Sequence, residues 1–427
     1  VTRNPGVPRL LRRLNDRSAL ELLISEGPLT RAELGERTGL SKVTAGQLLA
    51  RLEERGLVQV AGERAGGRGP NAALYGVVPS SAHVAGLEVL PDSITVGVAD
   101  ITGRVVVEVV VDPAGGEDPV AAVNDAVRRA CASARITLGQ LRSFVIGTRG
   151  VVDPRTGDMR FSYDLPAWHS GVLASLRRSL GASVTIENDV NLVALAEHRH
   201  GAAAGRDDFV VMWAGVGQGL GVMLDGRLRR GTTGGAGEIG WLPVPGEPLP
   251  DDVGRPQSGS YQRLVGRKAL TALARAHGLT DPSGLSLPSD GAAADGRVAG
   301  DPDADGRVAG GPASSVGLTS RAGSVAGLVE AAVAAGNTGF LDAVAARLAV
   351  AVAAVSVVLD PGLIVLAGDV GKAGGAELAR RVEIAAARIS PSRSTVAATG
   401  VTGNPVLRGA LVAALEQARE QVFSDTV

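Results

Sequence analysis

Near the start of the chain, apolar residues recur at helical spacing. Leu20, Leu23 and Ile24 lie within Arg17 to Glu26, and Gly27-Pro28 ends the run. Thr30 and Glu33 stand three apart, as in a capping box, and predict a short second helix that begins at Leu34 and stops at Gly39. Ser41 is placed to cap a third helix over Lys42 to Arg55. Its Val43, Leu48, Leu49 and Leu52 are expected to face inward, and Lys42, Thr44, Gln47 and Arg51 outward. The period then changes: Leu57 to Val60, the glycine-rich Gly62 to Pro70, and Ala72 to Val78 predict a two-stranded hairpin.

From Ser81 onward the pattern alternates between strand and helix. Val84 to Leu90, Ser93 to Ala99 and Val105 to Val111 are three β runs in succession, which predict a meander. Pro119 to Arg135 is an amphipathic helix, Phe144 to Gly147 a buried strand, Leu173 to Leu180 a helix, and Val184 to Glu187 another strand. Further helices are expected over Val325 to Ala334, Phe340 to Leu359 and Leu407 to Phe423, with a strand at Leu363 to Leu366. Repeated β then α elements signal an α/β body behind the N-terminal module. Between Asp281 and Ser324, where Asp295-Gly-Arg-Val-Ala-Gly300 recurs as Asp305-Gly-Arg-Val-Ala-Gly310, apolar periodicity is lost and an unstructured insertion is expected.

At 427 residues the chain exceeds a single ordinary core. Aromatic residues are only 3% of it, so the cores must be built from Ala, Val and Leu, with 59 glycines for turns and close approach. No uninterrupted apolar run approaches the ~20 residues of a membrane span, and the start lacks an apolar leader, so a soluble cytoplasmic protein is expected. Cys131 is the only cysteine, which excludes an internal disulfide and a Cys-rich metal site; it reads as a buried residue of an Ala-rich helix.

The formal net charge of −1 conceals an asymmetry. Residues 1–78 hold twelve Lys or Arg against eight Asp or Glu, so a basic module is fused to an acidic body. Two short helices about a glycine-bearing turn form the arrangement that lays a recognition helix in the major groove of double-stranded DNA. Ser41, Lys42, Thr44, Gln47 and Arg51 are the candidate readers, and Arg64 and Arg68 on the hairpin are candidates for phosphate or minor-groove contact. The same winged form also serves protein contacts or dimerisation.

The body carries a resemblance. Gly147-Thr-Arg-Gly-Val-Val-Asp153, Leu165-Pro-Ala-Trp168, Glu187-Asn-Asp-Val-Asn191, Gly234-Gly-Ala-Gly-Glu-Ile-Gly240 and Asp360-Pro-Gly-Leu-Ile-Val-Leu-Ala-Gly-Asp369 resemble the ROK family of repressors and sugar kinases. The resemblance implies a two-lobed, actin-like (ribonuclease-H-like) sugar-kinase fold. The expected domains are a winged helix-turn-helix at 1–78, a first lobe at 79–187 completed by a last helix at 407–424, and a second lobe at 188–406. It also implies that Asn188, Asp189 and Glu238 bind sugar hydroxyls, Asp189 being the catalytic base position of the kinases. An adjacent amide and carboxylate suit vicinal diols on their own chemistry, although Asn188 and Asp189 also suit the cap of a following helix. Trp241 is a candidate to stack on a ligand, or a core anchor for its loop.

Two departures from the family pattern bear on function. Kinases of this kind use an early Asp-x-Gly-Gly-Thr turn for ATP phosphates, and here the stretch reads Glu88-Val-Leu-Pro-Asp-Ser93. Pro91 has no N–H, and its neighbours carry side chains, so donors and room are both reduced. After Glu238 the family's His and Cys-rich zinc motif is replaced by Gly240-Trp-Leu-Pro-Val-Pro-Gly-Glu247, so no metal is expected. A second glycine turn, Gly215 to Gly221, is kept. The expectation is a non-catalytic, cofactor-free DNA-binding transcriptional regulator, a repressor of carbohydrate-related genes that responds to a sugar or sugar derivative, as a homodimer or tetramer. A kinase with an added DNA-binding domain, or a regulator whose body only oligomerises, are the other readings.

Overall fold

The computed structural model describes residues 6–65, 71–113, 118–162, 165, 171–181, 183–215, 217–252, 258–279 and 324–424. Arg68, most of the Leu165 to Trp168 motif and all but the last residue of the expected insertion lie outside them.

The N-terminal elements are α1 (Gly6–Ser25), β1 (Leu29–Thr30), α2 (Arg31–Thr38), α3 (Lys42–Glu54), β2 (Val58–Arg64) and β3 (Ala72–Val77). The strands form a small sheet in the order β1-β3-β2. The capping box forms as expected: the Thr30 hydroxyl accepts the Glu33 N–H, and the Glu33 carboxylate accepts the Thr30 N–H at 2.9 Å. Gly39 ends α2 with φ of 69°, a left-handed turn that glycine adopts without strain. Ala19, Leu20, Leu23, Leu34, Leu48, Leu49 and Leu52 are buried.

One expectation for α3 is corrected. Val43 points outward and is 70% exposed, whereas Ala45 is fully buried. The inward line is Ala45, Leu48, Leu49 and Leu52, at i, i+3, i+4 and i+7, and Val43 and Gln47 stand on the opposite side of that line.

The body continues with β4 (His83–Leu90), β5 (Ser93–Asp100), β6 (Val105–Val111), α4 (Pro119–Ala134), β7 (Leu141–Thr148), β8 (Val151–Val152), β9 (Met159–Phe161), α5 (Val172–Leu180), β10 (Ser183–Asn188) and α6 (Asp189–His200). It goes on with β11 (Phe209–Ala214), β12 (Gln218–Leu224), β13 (Arg227–Leu228), α7 (Ser260–Val265), α8 (Arg267–Ala276), α9 (Val325–Ala335), α10 (Thr338–Leu359), β14 (Leu363–Ala367), α11 (Gly368–Ile389), β15 (Thr395–Ala398) and α12 (Pro405–Ser424). One five-stranded sheet has the order β10-β7-β4-β5-β6, and another the order β13-β12-β11-β14-β15. In the first, β4, β5 and β6 form the antiparallel meander, and β7 and β10 join in parallel.

The chain divides into two compact units. The first comprises Val1–Val211, Leu220–Gly237 and Gly400–Val427; the second comprises Met212–Gly219 and Glu238–Thr399. The boundary expected after residue 187 therefore falls inside the first unit, where α6 packs along α12. In that unit, Leu87, Val96, Ile146 and Ile186 of the sheet share one core with Val123 and Val127 of α4 and Leu173 and Leu176 of α5. On the sheet's α12 side the contact needs glycine: a Cβ on Gly86 would lie 2.8 Å from the Leu411 nitrogen. Cys131 is buried, as expected, and burial pushes its thiol pKa up. His83, on β4 opposite Asp100 of β5, is also buried; desolvation lowers its pKa, against the pull of the Asp100 carboxylate.

In the second unit, α10 is the central helix. By length and composition it passes for a membrane span, yet 56% of its apolar window is buried within the protein. Asp342 and Arg347 interrupt it, and Arg347 donates to the Leu264 carbonyl at 3.0 Å. Tyr261 is fully buried, and its hydroxyl donates to the Leu348 carbonyl at 3.3 Å; desolvation drives its pKa far upward.

Candidate functional site

On α3 the polar residues divide into those spent on the fold and those left to solvent. Ser41 caps the helix, its hydroxyl accepting the Thr44 N–H at 3.2 Å and lying 2.8 Å from the Thr44 hydroxyl. Lys42 and Gln47 are exposed, and Thr44 is half-buried. Arg51, expected to point outward, instead reaches 2.7 Å to the fully buried Asp16 of α1, so its charge is engaged in holding α3 to α1. Arg64 pairs with Glu33, whose carboxyl is held below its ordinary range first by the Thr30 N–H and hydroxyl and then by Arg64. The outward face thus presents Lys42, Val43 and Gln47. Val43 is the outward-facing residue that pattern reasoning missed, and counting Ala45 as core would have found it. An exposed methyl-bearing side chain there suits the C5-methyl of thymine, and Gln47 suits the edge of adenine.

The second cluster lies in the first unit, where β10 runs into α6. Asn188 is the N-cap of α6: its side-chain oxygen accepts the Asn191 N–H at 3.1 Å, and its side-chain nitrogen donates to the Gly150 carbonyl at 3.0 Å. The capping reading of Asn188 therefore describes its place in the fold. Asp189 begins the helix, and its carboxylate accepts the Val190 N–H at 2.9 Å. Behind them, buried Glu187 accepts from the Asn188 N–H at 3.0 Å, the Asn191 amide at 2.9 Å and the Arg230 Nε at 2.6 Å. The carboxylate fixes the turn from three sides. Glu187 and Arg230 were not among the expected site residues, although an acid closing an apolar strand just before an Asx pair was a visible signal.

Glycines press the neighbouring loops onto this turn. A Cβ on Gly150, at φ of 115°, would sit 2.2 Å from the Phe161 carbonyl oxygen. A Cβ on Gly234, at φ of 80°, would sit 1.9 Å from that of Val152, so the Gly234 motif lies directly on β8. Glu187, Asn188, Asp189, Gly150 and Arg230 are thus brought together. Glu238 and Trp241 belong to the second unit, where Glu238 precedes a short 3-10 turn, Ile239–Trp241, and Trp241 is half-buried.

The stretch that departs from the kinase pattern is a tight hairpin. Leu90 pairs with Ser93, leaving Pro91-Asp92 as a two-residue turn, and the Glu88 carboxylate accepts from the Asn404 amide. In the second unit the kept glycine turn meets an aromatic side chain, with the Trp213 indole nitrogen 3.0 Å from where a Cβ on Gly215 would be. Among the described residues, no group of three or more His, Cys, Asp or Glu side chains is placed to hold a metal ion.

Comparison with known proteins bears on both clusters. The model of the ROK family matches residues 84–416, and that of the MarR family matches residues 13–69. The chain is 25% identical over 263 residues to the DNA-binding transcriptional dual regulator NagC of Escherichia coli strain K12, covering 61% of this chain and 64% of that protein. It is 26% identical over 241 residues to a xylose repressor of Caldicellulosiruptor bescii, covering 55% of this chain and 60% of that one. Each match spans less than two thirds of the relative's own length. In fold, the chain is similar to a ROK family transcriptional regulator described as a homolog of the E. coli MLC protein. The TM-score is 0.68 at 16% identity, over 97% of this chain and 98% of that one.

Proposed function

The chain belongs to the ROK family, and from that premise we propose that it is a sugar-responsive, DNA-binding transcriptional repressor without kinase activity. The observation that carries the reading is the outward face of α3. Lys42, Val43 and Gln47 stand free of the fold on a capped helix, in front of a ROK body. Operator DNA is the first partner, read by two or more copies of the chain in the cytoplasm. A sugar or sugar derivative is the second, held at Asn188 and Asp189. Relatives named as repressors for N-acetylglucosamine and for xylose support that ligand class.

The Pro91-Asp92 hairpin supports the absence of phosphoryl transfer, which depends on a cradle of donors to position a triphosphate. Sugar binding would then shift the chain between DNA-competent and DNA-released states, and by linkage operator DNA must weaken sugar binding by the same factor.

A mobility-shift titration on a palindromic site selected from random DNA, repeated across salt concentrations, tests the first half. Binding that is salt-dependent and released by one of D-glucose, N-acetylglucosamine or D-xylose is the expected result. Absence of any sequence-selective shift overturns the repressor reading, and sugar-dependent ATP consumption overturns the non-catalytic one.

A further inference from the structure

Two helices of the first unit touch backbone to backbone. A Cβ on Gly409 of α12 would lie 1.8 Å from the Leu192 carbonyl oxygen of α6. At the far end of α6, fully buried Glu197 accepts from the Ala202 N–H at 2.7 Å, the Gly400 N–H at 3.2 Å and the Val401 N–H at 3.4 Å, tying α6 to the segment that leads into α12. Surfaces packed this closely do not slide by small amounts, so the pair moves as one body.

The ends of that body meet different parts of the chain. At one end, α6 begins at Asn188 and Asp189, and Asn404 ahead of α12 holds Glu88 beside the early hairpin. At the other end, Arg199 of α6 and Arg419 of α12 line a groove with Ser18, Glu21, Leu22 and Ser25 of α1. There Arg55, which ends α3, donates from Nη2 to the Val422 carbonyl of α12 at 2.8 Å. Its Nη1 is buried without a hydrogen-bond partner. A buried charged donor left without a partner is costly, so this joint is held by one of the two terminal nitrogens of Arg55 alone.

We infer that α6 and α12 form a strut that carries effector occupancy at Asn188 and Asp189 to the winged module, with Arg55 on Val422 as the joint. The inference rests on the sugar-site reading above. Arg55 is a positioning residue: it touches neither DNA bases nor sugar, and it sets which orientation of α3 goes with which state of the site.

The test uses the full chain, the selected operator, and D-glucose, N-acetylglucosamine and D-xylose as probes. For wild type, the active sugar is expected to weaken operator binding at least about tenfold, and operator to weaken sugar binding equally. Arg55→Ala is expected to bind operator and sugar each within about threefold of wild type, while the sugar-induced weakening falls below about threefold. A purely structural role predicts the reverse, a lowered Tm with the wild-type ratio kept, and that result overturns the inference. If Arg55→Ala does not fold, hydrogen exchange of wild type serves instead. Sugar-dependent protection changes in α1 and the last turn of α12 are expected, and changes confined to the start of α6 overturn the strut. Asp189→Ala separates the failures. If no probe weakens operator binding, or if the sugar still binds that variant, the site reading falls and takes the strut with it. If Asp189→Ala loses the sugar and Arg55→Ala keeps the ratio, the strut alone falls.

Discussion

The outward face of α3 and the turn from Glu187 to Asp189 are both polar, and they are polar in opposite ways. Lys42 and Gln47 make no demand on the fold and stand in solvent, open to a partner without rearrangement. Glu187 and Asn188 are consumed by each other and by Asn191, Gly150 and Arg230. Removing an exposed reader should therefore cost binding and spare stability, while removing a member of the buried turn should cost both.

The strongest way to break that contrast is Glu187→Ala. It strips the Asn188 N–H, the Asn191 amide and Arg230 of their shared acceptor, and about 2 to 3 kcal/mol of stability should be lost, read from urea midpoints. Sugar response should fall with it. An unchanged midpoint would mean that the turn is not held by its carboxylate. On the other side of the contrast, Gln47→Ala should weaken operator binding roughly tenfold, about 1.4 kcal/mol, at fixed salt with no shift in urea midpoint. Ser41→Ala lies between the two classes, because its hydroxyl is spent on the cap. Both stability and operator affinity should drop, stability by about 1 kcal/mol, and a loss in affinity alone would make Ser41 a reader.

The smallest effect expected concerns pH. Burial lowers the pKa of His83, so below about 6.5 the unfolded chain takes up a proton that the folded chain resists. Stability is thus complete above that value and declines as pH falls toward the folded pKa. His83→Gln should flatten the decline in urea midpoint between pH 7.5 and 5.5; an identical slope would assign the decline to other groups. His200, also lowered by burial and by nearby Arg199 and Arg408, remains to supply the rest.

Much of this was legible along the chain because it is local. The Thr30 and Glu33 box, the Ser41 cap and the β4 to β6 meander depend on residues a few positions apart, and each forms. Arg51 could not be read that way: its partner Asp16 lies 35 residues upstream, and an arginine on a half-exposed helix flank gives no sign of a buried carboxylate beside it. Arg230 is 43 residues from Glu187, with the same result. The long helix α11 escaped a periodicity reading because Gly371, Gly374 and Gly375 interrupt its apolar stripe, and Gly375 does adopt a non-helical φ of 54°. The motif Glu187 to Asn191 was singled out by resemblance, while the bonding that holds its turn is supplied in part by distant loops.

The contact between Gly409 and Leu192 also bears on the chain's history. Any side chain at position 409 would collide with a carbonyl that has nowhere to retreat. Descendants of this protein are free to drift across the solvent side of α12, but at that one position they inherit a vacancy they must keep.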